Sequence, residues 1–158
     1  MVICLMGESC TGKSTAADKI KKETGAKIFT GKDYLKLAKS EAEAKKAFRS
    51  LLQSHVSETE GVIFVVSELE DLSLVPENAL KILFTADISV IKERFKERMR
   101  GNLVPPVEKM LERKAGLFSE VQHDLVIESD KISKEEMNDK LKSFLSERNK
   151  IQIGLDVE

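Results

Sequence analysis

The sequence predicts a three-layer α/β fold, a parallel sheet with helices on both faces. Three observations carry that expectation: uninterrupted apolar runs, amphipathic charged stretches between them, and the alternation of the two along the chain. Val2–Met6 and Val62–Val66 are apolar at every position, the pattern of strands buried on both faces rather than alternating between core and solvent. Strands that alternate with helical stretches are joined by right-handed crossovers, which place helices over both faces of a parallel sheet.

Taken in order, Val2 to Met6 is the first strand, and Ser14 to Glu23 reads as a helix with Ala16, Ala17 and Ile20 inward and Gly25 past its end. Ala26 to Thr30 is a short second strand. From Asp33 to Val56 apolar residues recur at helical spacing among lysines and glutamates, which predicts two helices breaking near Ser40. Val62 to Val66 is a central strand and Lys81 to Thr85 another, followed by a helix from Ile88 to about Arg100. Gly101 to Pro106 interrupts the pattern, because Pro105 and Pro106 lack amide donors. A helix from Val107 to Lys114, a strand Leu125 to Ile127, and a helix opened by the Ser133/Glu136 capping-box pair and running to about Arg148 complete the series. The tail Ile151 to Glu158 is open between a loose end and a small strand.

Composition narrows the function. The chain of 158 residues is expected to form one domain, 1–158; its 41 % hydrophobic content is too high for a disordered protein. With 26 Lys plus Arg against 27 Asp plus Glu, the net charge of −1 removes the cationic field of a nucleic-acid binder, so no nucleic-acid partner is expected. No apolar run is long enough to cross a bilayer, and the first hydrophobic stretch is too short for a signal peptide, which points to the cytoplasm and no membrane partner. Cys4 and Cys10 lack the spacing of a zinc site or disulfide framework and are expected to be free thiols.

The strongest chemical signal is Gly7-Glu8-Ser9-Cys10-Thr11-Gly12-Lys13-Ser14, a full match to G-x-x-x-x-G-K-[ST] between a buried strand and a helix. That setting aims backbone amides and the positive end of a helix at an anion. Lys13 then serves as a point charge for the β- and γ-phosphates, and the Ser14 hydroxyl as a Mg²⁺ ligand. Glu68, just after a strand, is a candidate acid for the same ion. The second signal is Glu93 to Arg100, which sets Arg94 and Arg98 on one helix face beside the Gly/Pro-interrupted stretch; arginines around a closing loop suit phosphoryl transfer. An Asn-Lys-x-Asp element of guanine-specific GTPases is absent from the sequence.

Taken together, the P-loop, Thr30 to Ala38, Val75 to Asp87 leading to Arg94 and Arg98, and Asp124 to Ile127 resemble bacterial cytidylate kinases, in the same order and over most of the chain. The resemblance implies a P-loop nucleoside monophosphate kinase fold with a five-stranded parallel core, a helical acceptor-binding region at 31–61 and an arginine-bearing lid at 95–116. It implies that Gly7, Glu8, Ser9, Cys10, Thr11, Gly12, Lys13, Ser14 and Thr15 hold ATP with Mg²⁺ and that Arg94 is catalytic; Lys13 and Arg98 are expected to be catalytic beside it, and Arg98 and Arg100 fall near the lid arginines of the family. Asp33, Tyr34 and Arg49 are the acceptor contacts it leaves. Where the family carries an Arg-Asp pair for cytosine, this chain has Glu70-Asp71, so CMP is not the expected acceptor. The expected activity is transfer of the γ-phosphoryl group of ATP to a small molecule, first a nucleoside monophosphate. A small hydroxylated metabolite, as in shikimate- or gluconate-type kinases, is the alternative acceptor, and an ATP-binding regulatory module is the reading without transfer.

Overall fold

The computed structural model describes the backbone of residues 1–157 and the side chains of residues 1–148. Five strands, β1 (Val2–Met6), β2 (Lys27–Thr30), β3 (Val62–Val66), β4 (Leu80–Thr85) and β5 (Leu125–Glu128), form one sheet in the order β2-β3-β1-β4-β5. Every pairing is parallel, with Met6 beside Val66 and Leu83, and Thr85 beside Glu128. The carboxyl ends of the strands therefore share one edge, where the loops at residues 7–12, 67–68, 86–87 and 129–133 meet. Ligand crevices of open α/β sheets lie on that edge.

Helices α1 (Lys13–Thr24), α2 (Glu41–His55), α3 (Ile88–Arg98), α4 (Pro105–Lys114) and α5 (Lys134–Val157) supply the connections. β1 and β3, fully buried along their lengths, divide the core into two clusters. On one face, Phe48 of α2 sits edge-on to Phe64 of β3 at 4.8 Å and stacks on Tyr34 at 5.3 Å. On the other, Ala16, Ala17 and Ile20 of α1 and Met137 and Leu141 of α5 cover Ile3, Leu5 and Phe84. Small residues on α1 bring its axis close to the sheet, and with it the loop that begins the helix.

The element order matches the sequence expectation, and the local departures have physical causes. The first of the two expected helices after β2 is a 3₁₀ helix, Gly31–Leu37. Its start is fixed by a reciprocal capping box between Thr30 and Asp33, and its single buried residue is Tyr34, so there is too little apolar face for an α-helix. The break near Ser40 is real: Ser40 Oγ accepts from the Glu43 amide at 3.2 Å and starts α2. A second 3₁₀ helix, Leu69–Leu74, lies in a stretch for which the sequence suggested no element. Pro105 and Pro106 begin α4 rather than merely interrupting the chain, since proline at the first helical positions forfeits no hydrogen bond. Ser133 Oγ accepts from the Glu136 amide at 3.1 Å, as the capping pattern implied. The tail assignment falls on residues whose side chains are not described, although the α5 backbone continues to Val157. No helix among the described residues is long and apolar enough to cross a membrane.

Gly7 is the most crowded glycine among the described residues. Its φ is +149°, and a Cβ there would lie 2.3 Å from the carbonyl oxygen of Phe84 in β4. Gly25, at the end of α1, has φ +74° but open space around it, with nothing within 4 Å of the position a methyl group would take. Gly25→Ala is expected to cost about 1 kcal/mol, the strain of a left-handed alanine, and Gly7→Ala roughly 3 kcal/mol or more because backbone must also move. Urea unfolding of the two variants checks the order.

Candidate phosphate-binding site

Gly12 enters α1 in the left-handed region, φ 101°, with no side chain capping the first turn and no acid in it. The leading amides of α1 thus stay free to bind an anion with the helix dipole behind them. Cys10 is also left-handed, at φ 63°, an unusual conformation for a residue with a Cβ. Thr11, fully buried, braces the loop by donating from Oγ1 to the Glu8 carbonyl at 2.8 Å.

Lys13 is only 4 % exposed. Its Nζ donates to the carbonyls of Gly7 at 2.6 Å and Glu8 at 2.5 Å, so the ammonium is held inside the loop it follows. Burial lowers its pKa from 10.5 to about 8; Glu8 and Cys10 oppose the shift and the Arg98 charge adds to it. A cation so placed is under-solvated and gains from any phosphate that enters. Ser14 and Thr15, one and two residues into the helix, are exposed.

Arg94 has a different position from the mobile one its sequence context suggested. NH1 donates to the Cys10 carbonyl at 3.0 Å and to Ser129 Oγ at 2.9 Å, and NH2 to the Ser129 carbonyl at 3.2 Å. It staples the phosphate loop to the β5–α5 connection. Sequence reasoning missed Ser129; its position one residue past a strand on the ligand edge was the available signal. The staple forms a wall of a cavity of about 240 Å³ lined by Gly12 and Thr15 and by Arg98, Ile132, Lys134 and Met137. Arg100 is not among the cavity residues; it is exposed at φ 58° in the turn between α3 and α4.

On the opposite side of the loop the structure pairs charges. Glu68, at the end of the β3 connection, accepts from Lys114 Nζ at 2.8 Å, and Glu8 Oε1 accepts from the Gly116 amide at 2.5 Å. The segment after α4 is therefore fastened to the phosphate loop. Lys32 Nζ meets Asp71 at 2.5 Å and Glu70 at 2.8 Å, joining the two 3₁₀ helices. Asp71 is 2 % exposed, and these hydrogen bonds, to Asp71 foremost, raise the Lys32 pKa.

The three expected acceptor contacts separate here. Asp33 Oδ2 accepts from the Thr30 amide at 2.9 Å, the capping role. Tyr34 is a correction: it is 0 % exposed and stacked on Phe48, so it packs the core and has no surface for an acceptor. Arg49 is exposed on α2.

No family model matches the chain, and no curated protein matches it. Solved structures do. The YorR protein of Bacillus subtilis in complex with phosphorylated GDP superposes with a TM-score of 0.65 at 19% identity, over 94% of this chain and 98% of that one. Shikimate kinase from Aquifex aeolicus gives 0.57 at 17% identity, over 94% and 98%. Deoxyadenosine kinase from M. mycoides with bound dATP gives 0.56 at 16% identity, over 92% and 100%. At these identities the likeness is one of fold: the chain has the P-loop kinase fold. A cytidylate kinase in particular is not singled out.

Two expectations follow from the geometry. Because Lys13 releases its proton near pH 8 when folded and near 10.5 when unfolded, the unfolded chain holds more protons between those values and stability rises with pH across that window. Wild type should therefore gain stability relative to Lys13→Met between pH 8 and pH 10 in ligand-free denaturation series; parallel curves would contradict a buried, under-solvated ammonium. Arg94→Ala should weaken nucleoside diphosphate binding by about tenfold, since it loses the staple on the loop, whereas an arginine that does not brace the loop would leave affinity unchanged. Isothermal calorimetry with ADP separates the two.

Proposed function

We propose that this chain is an ATP-dependent kinase that moves the γ-phosphoryl group to a small acceptor, with a nucleoside monophosphate as the first candidate. The observation that carries the reading is the buried Lys13 ammonium inside a complete phosphate loop at the start of an uncapped helix. The loop amides bind the phosphates, Lys13 neutralises charge at the β- and γ-positions, and Arg98, which lines the cavity beside the loop, supplies a further cation as charge develops. Arg94 keeps the loop in register through Cys10 and Ser129.

Mg²⁺ fits the oxygen donors at the site. Ser14 is exposed at the head of α1 and Glu68 follows β3, the strand paired with β1, so a hydroxyl and a carboxylate flank the loop from neighbouring connections. These residues would hold the ion, which supplies charge neutralisation to the phosphates when bound. Glu68 would then exchange Lys114 for the ion.

The acceptor side favours an anion because Lys46 and Arg49 stand exposed on α2, while Lys45 is paired with Glu41. A kinase for a hydroxylated metabolite is the second reading. It depends on Asp33, whose Oδ2 is already committed to capping. A coupled ADP-release assay over nucleoside monophosphates and small hydroxylated metabolites decides. Stimulation by a monophosphate other than CMP, abolished by at least about a hundredfold in Lys13→Ala, is the expected result. Stimulation only by an unphosphorylated compound, lost in Asp33→Asn, would move the protein to the second reading; nucleotide binding with no turnover on any acceptor would make it a regulatory module.

A further inference from the structure

The cavity beside the phosphate loop has two ends of different chemistry. Gly12 and Thr15 belong to the anion-binding turn, and Ile132 and Met137 to the β5–α5 connection and α5; a nucleotide with its phosphates at the turn would lay its base toward the second set, where these two side chains offer apolar surface. At that far end stand Ser133 and Lys134, the residues that open α5. Lys134 is oddly placed for a purely structural residue. A cation in the first turn opposes the helix dipole, which Glu135 and Glu136 next to it satisfy. Among the described residues no hydrogen bond or ion pair engages its ammonium.

The polar side chains around the cavity are donors. Arg94, Arg98 and Lys134 are all cationic, and among the described residues no Asp, Glu, Asn or Gln lines it. Ser133 Oγ already accepts from the Glu136 amide, which leaves its hydroxyl proton to give away. Ser129 Oγ also accepts from Arg94, but gives its own proton to the Thr85 carbonyl at 3.4 Å, so it is already engaged on both counts. A wall of donors suits a base whose exposed edge carries acceptors. Guanine presents O6 and N7, both acceptors, and a lysine matches them; adenine replaces O6 by an amino group, a donor that a lysine cannot receive.

We propose that Lys134 reads the base of the phosphoryl donor, and that the cavity takes guanine nucleotides at least as well as adenine nucleotides. This rests on the kinase reading and specifies the donor within it. The ammonium supplies hydrogen bonds to O6 and N7, Ile132 and Met137 pack against the ring, and the phosphate loop holds the rest without regard to base.

Calorimetric titration of the full chain with GDP and with ADP tests it without requiring turnover. The wild type is expected to bind GDP as tightly as ADP or tighter. Lys134→Ala should weaken GDP about tenfold, the loss of a charged hydrogen bond, and ADP less than threefold, while Lys134→Arg should keep the GDP affinity. A wild-type preference for ADP of tenfold or more would overturn the proposal, as would equal weakening of both nucleotides by Lys134→Ala, which would place the ammonium on a phosphate. Failure of both nucleotides to bind the wild type would instead bring down the phosphate-loop reading beneath it. Because Lys134 is exposed, the variants should melt with the wild type, and matching melting curves confirm that affinity alone has changed.

Discussion

The Arg94 guanidinium is the contact on which the site's geometry depends. A phosphate loop has little packing of its own: it must leave its amides unpaired to bind an anion, and here it also bends a non-glycine residue, Cys10, into the left-handed region. Conformations of that kind persist only where the surroundings enforce them. Three hydrogen bonds from one planar group, one to the Cys10 carbonyl and two to Ser129, tie the loop to the connection leaving β5. Arginine suits the task because its fork of donors is planar and rigid. The same contact defines a wall of the cavity beside the loop, so loop shape and cavity shape are set together.

Lys13 is the complementary feature, a charge held in an unfavourable setting. Its stem is buried and its ammonium is satisfied by two carbonyls of the loop rather than by a carboxylate. Carbonyl dipoles compensate a buried cation only in part, which is why burial dominates the lowered pKa. The ligand-free protein thus stores unfavourable electrostatic energy at the position where a polyphosphate would release it, a preorganised arrangement in which the charge need not be reorganised on binding. Folding can support this because β1, buried throughout its length, leads into the loop, and the equally buried β3 beside it accepts from the Gly7 amide through the Val66 carbonyl.

What the sequence made legible was the part governed by short-range rules. Apolar runs located β1 and β3, the glycine-lysine-serine spacing located the phosphate loop, and Ser40 and Ser133 marked helix starts through their own hydrogen bonds. What it concealed depends on residues far apart. Arg94 reads as a catalytic arginine beside a closing loop, and its bracing role is hidden until Ser129, 35 positions away, is brought against it. Tyr34 reads as a ligand contact until Phe48 of α2 is seen stacked on its ring. The 3₁₀ helix at Gly31–Leu37 hid for a related reason: its leucines Leu35 and Leu37 mimic a helical stripe, yet both are about two-fifths exposed, at 40% and 38%, and only Tyr34 is anchored. Spacing reports which residues can share a face, and the partner decides whether that face is used.

The two sides of the phosphate loop differ in how their charges are paired, and this bears on why the fold alone does not name an acceptor. On the side of the 3₁₀ helices several cations are already matched: Lys32 with Asp71 and Glu70, Lys114 with Glu68, Lys45 with Glu41. An anionic acceptor arriving there must compete with carboxylates or settle for Lys46 and Arg49, which are exposed and hence screened. On the cavity side Arg98 and Lys134 face a wall without acids among the described residues. A net charge near zero for the whole chain therefore conceals a local separation, with unmatched positive charge gathered where a nucleoside triphosphate would lie and matched pairs where its partner would. A nucleotide on the cavity side would meet charge already in place. A second ligand on the side of the 3₁₀ helices would have to displace pairs such as Lys32 with Asp71.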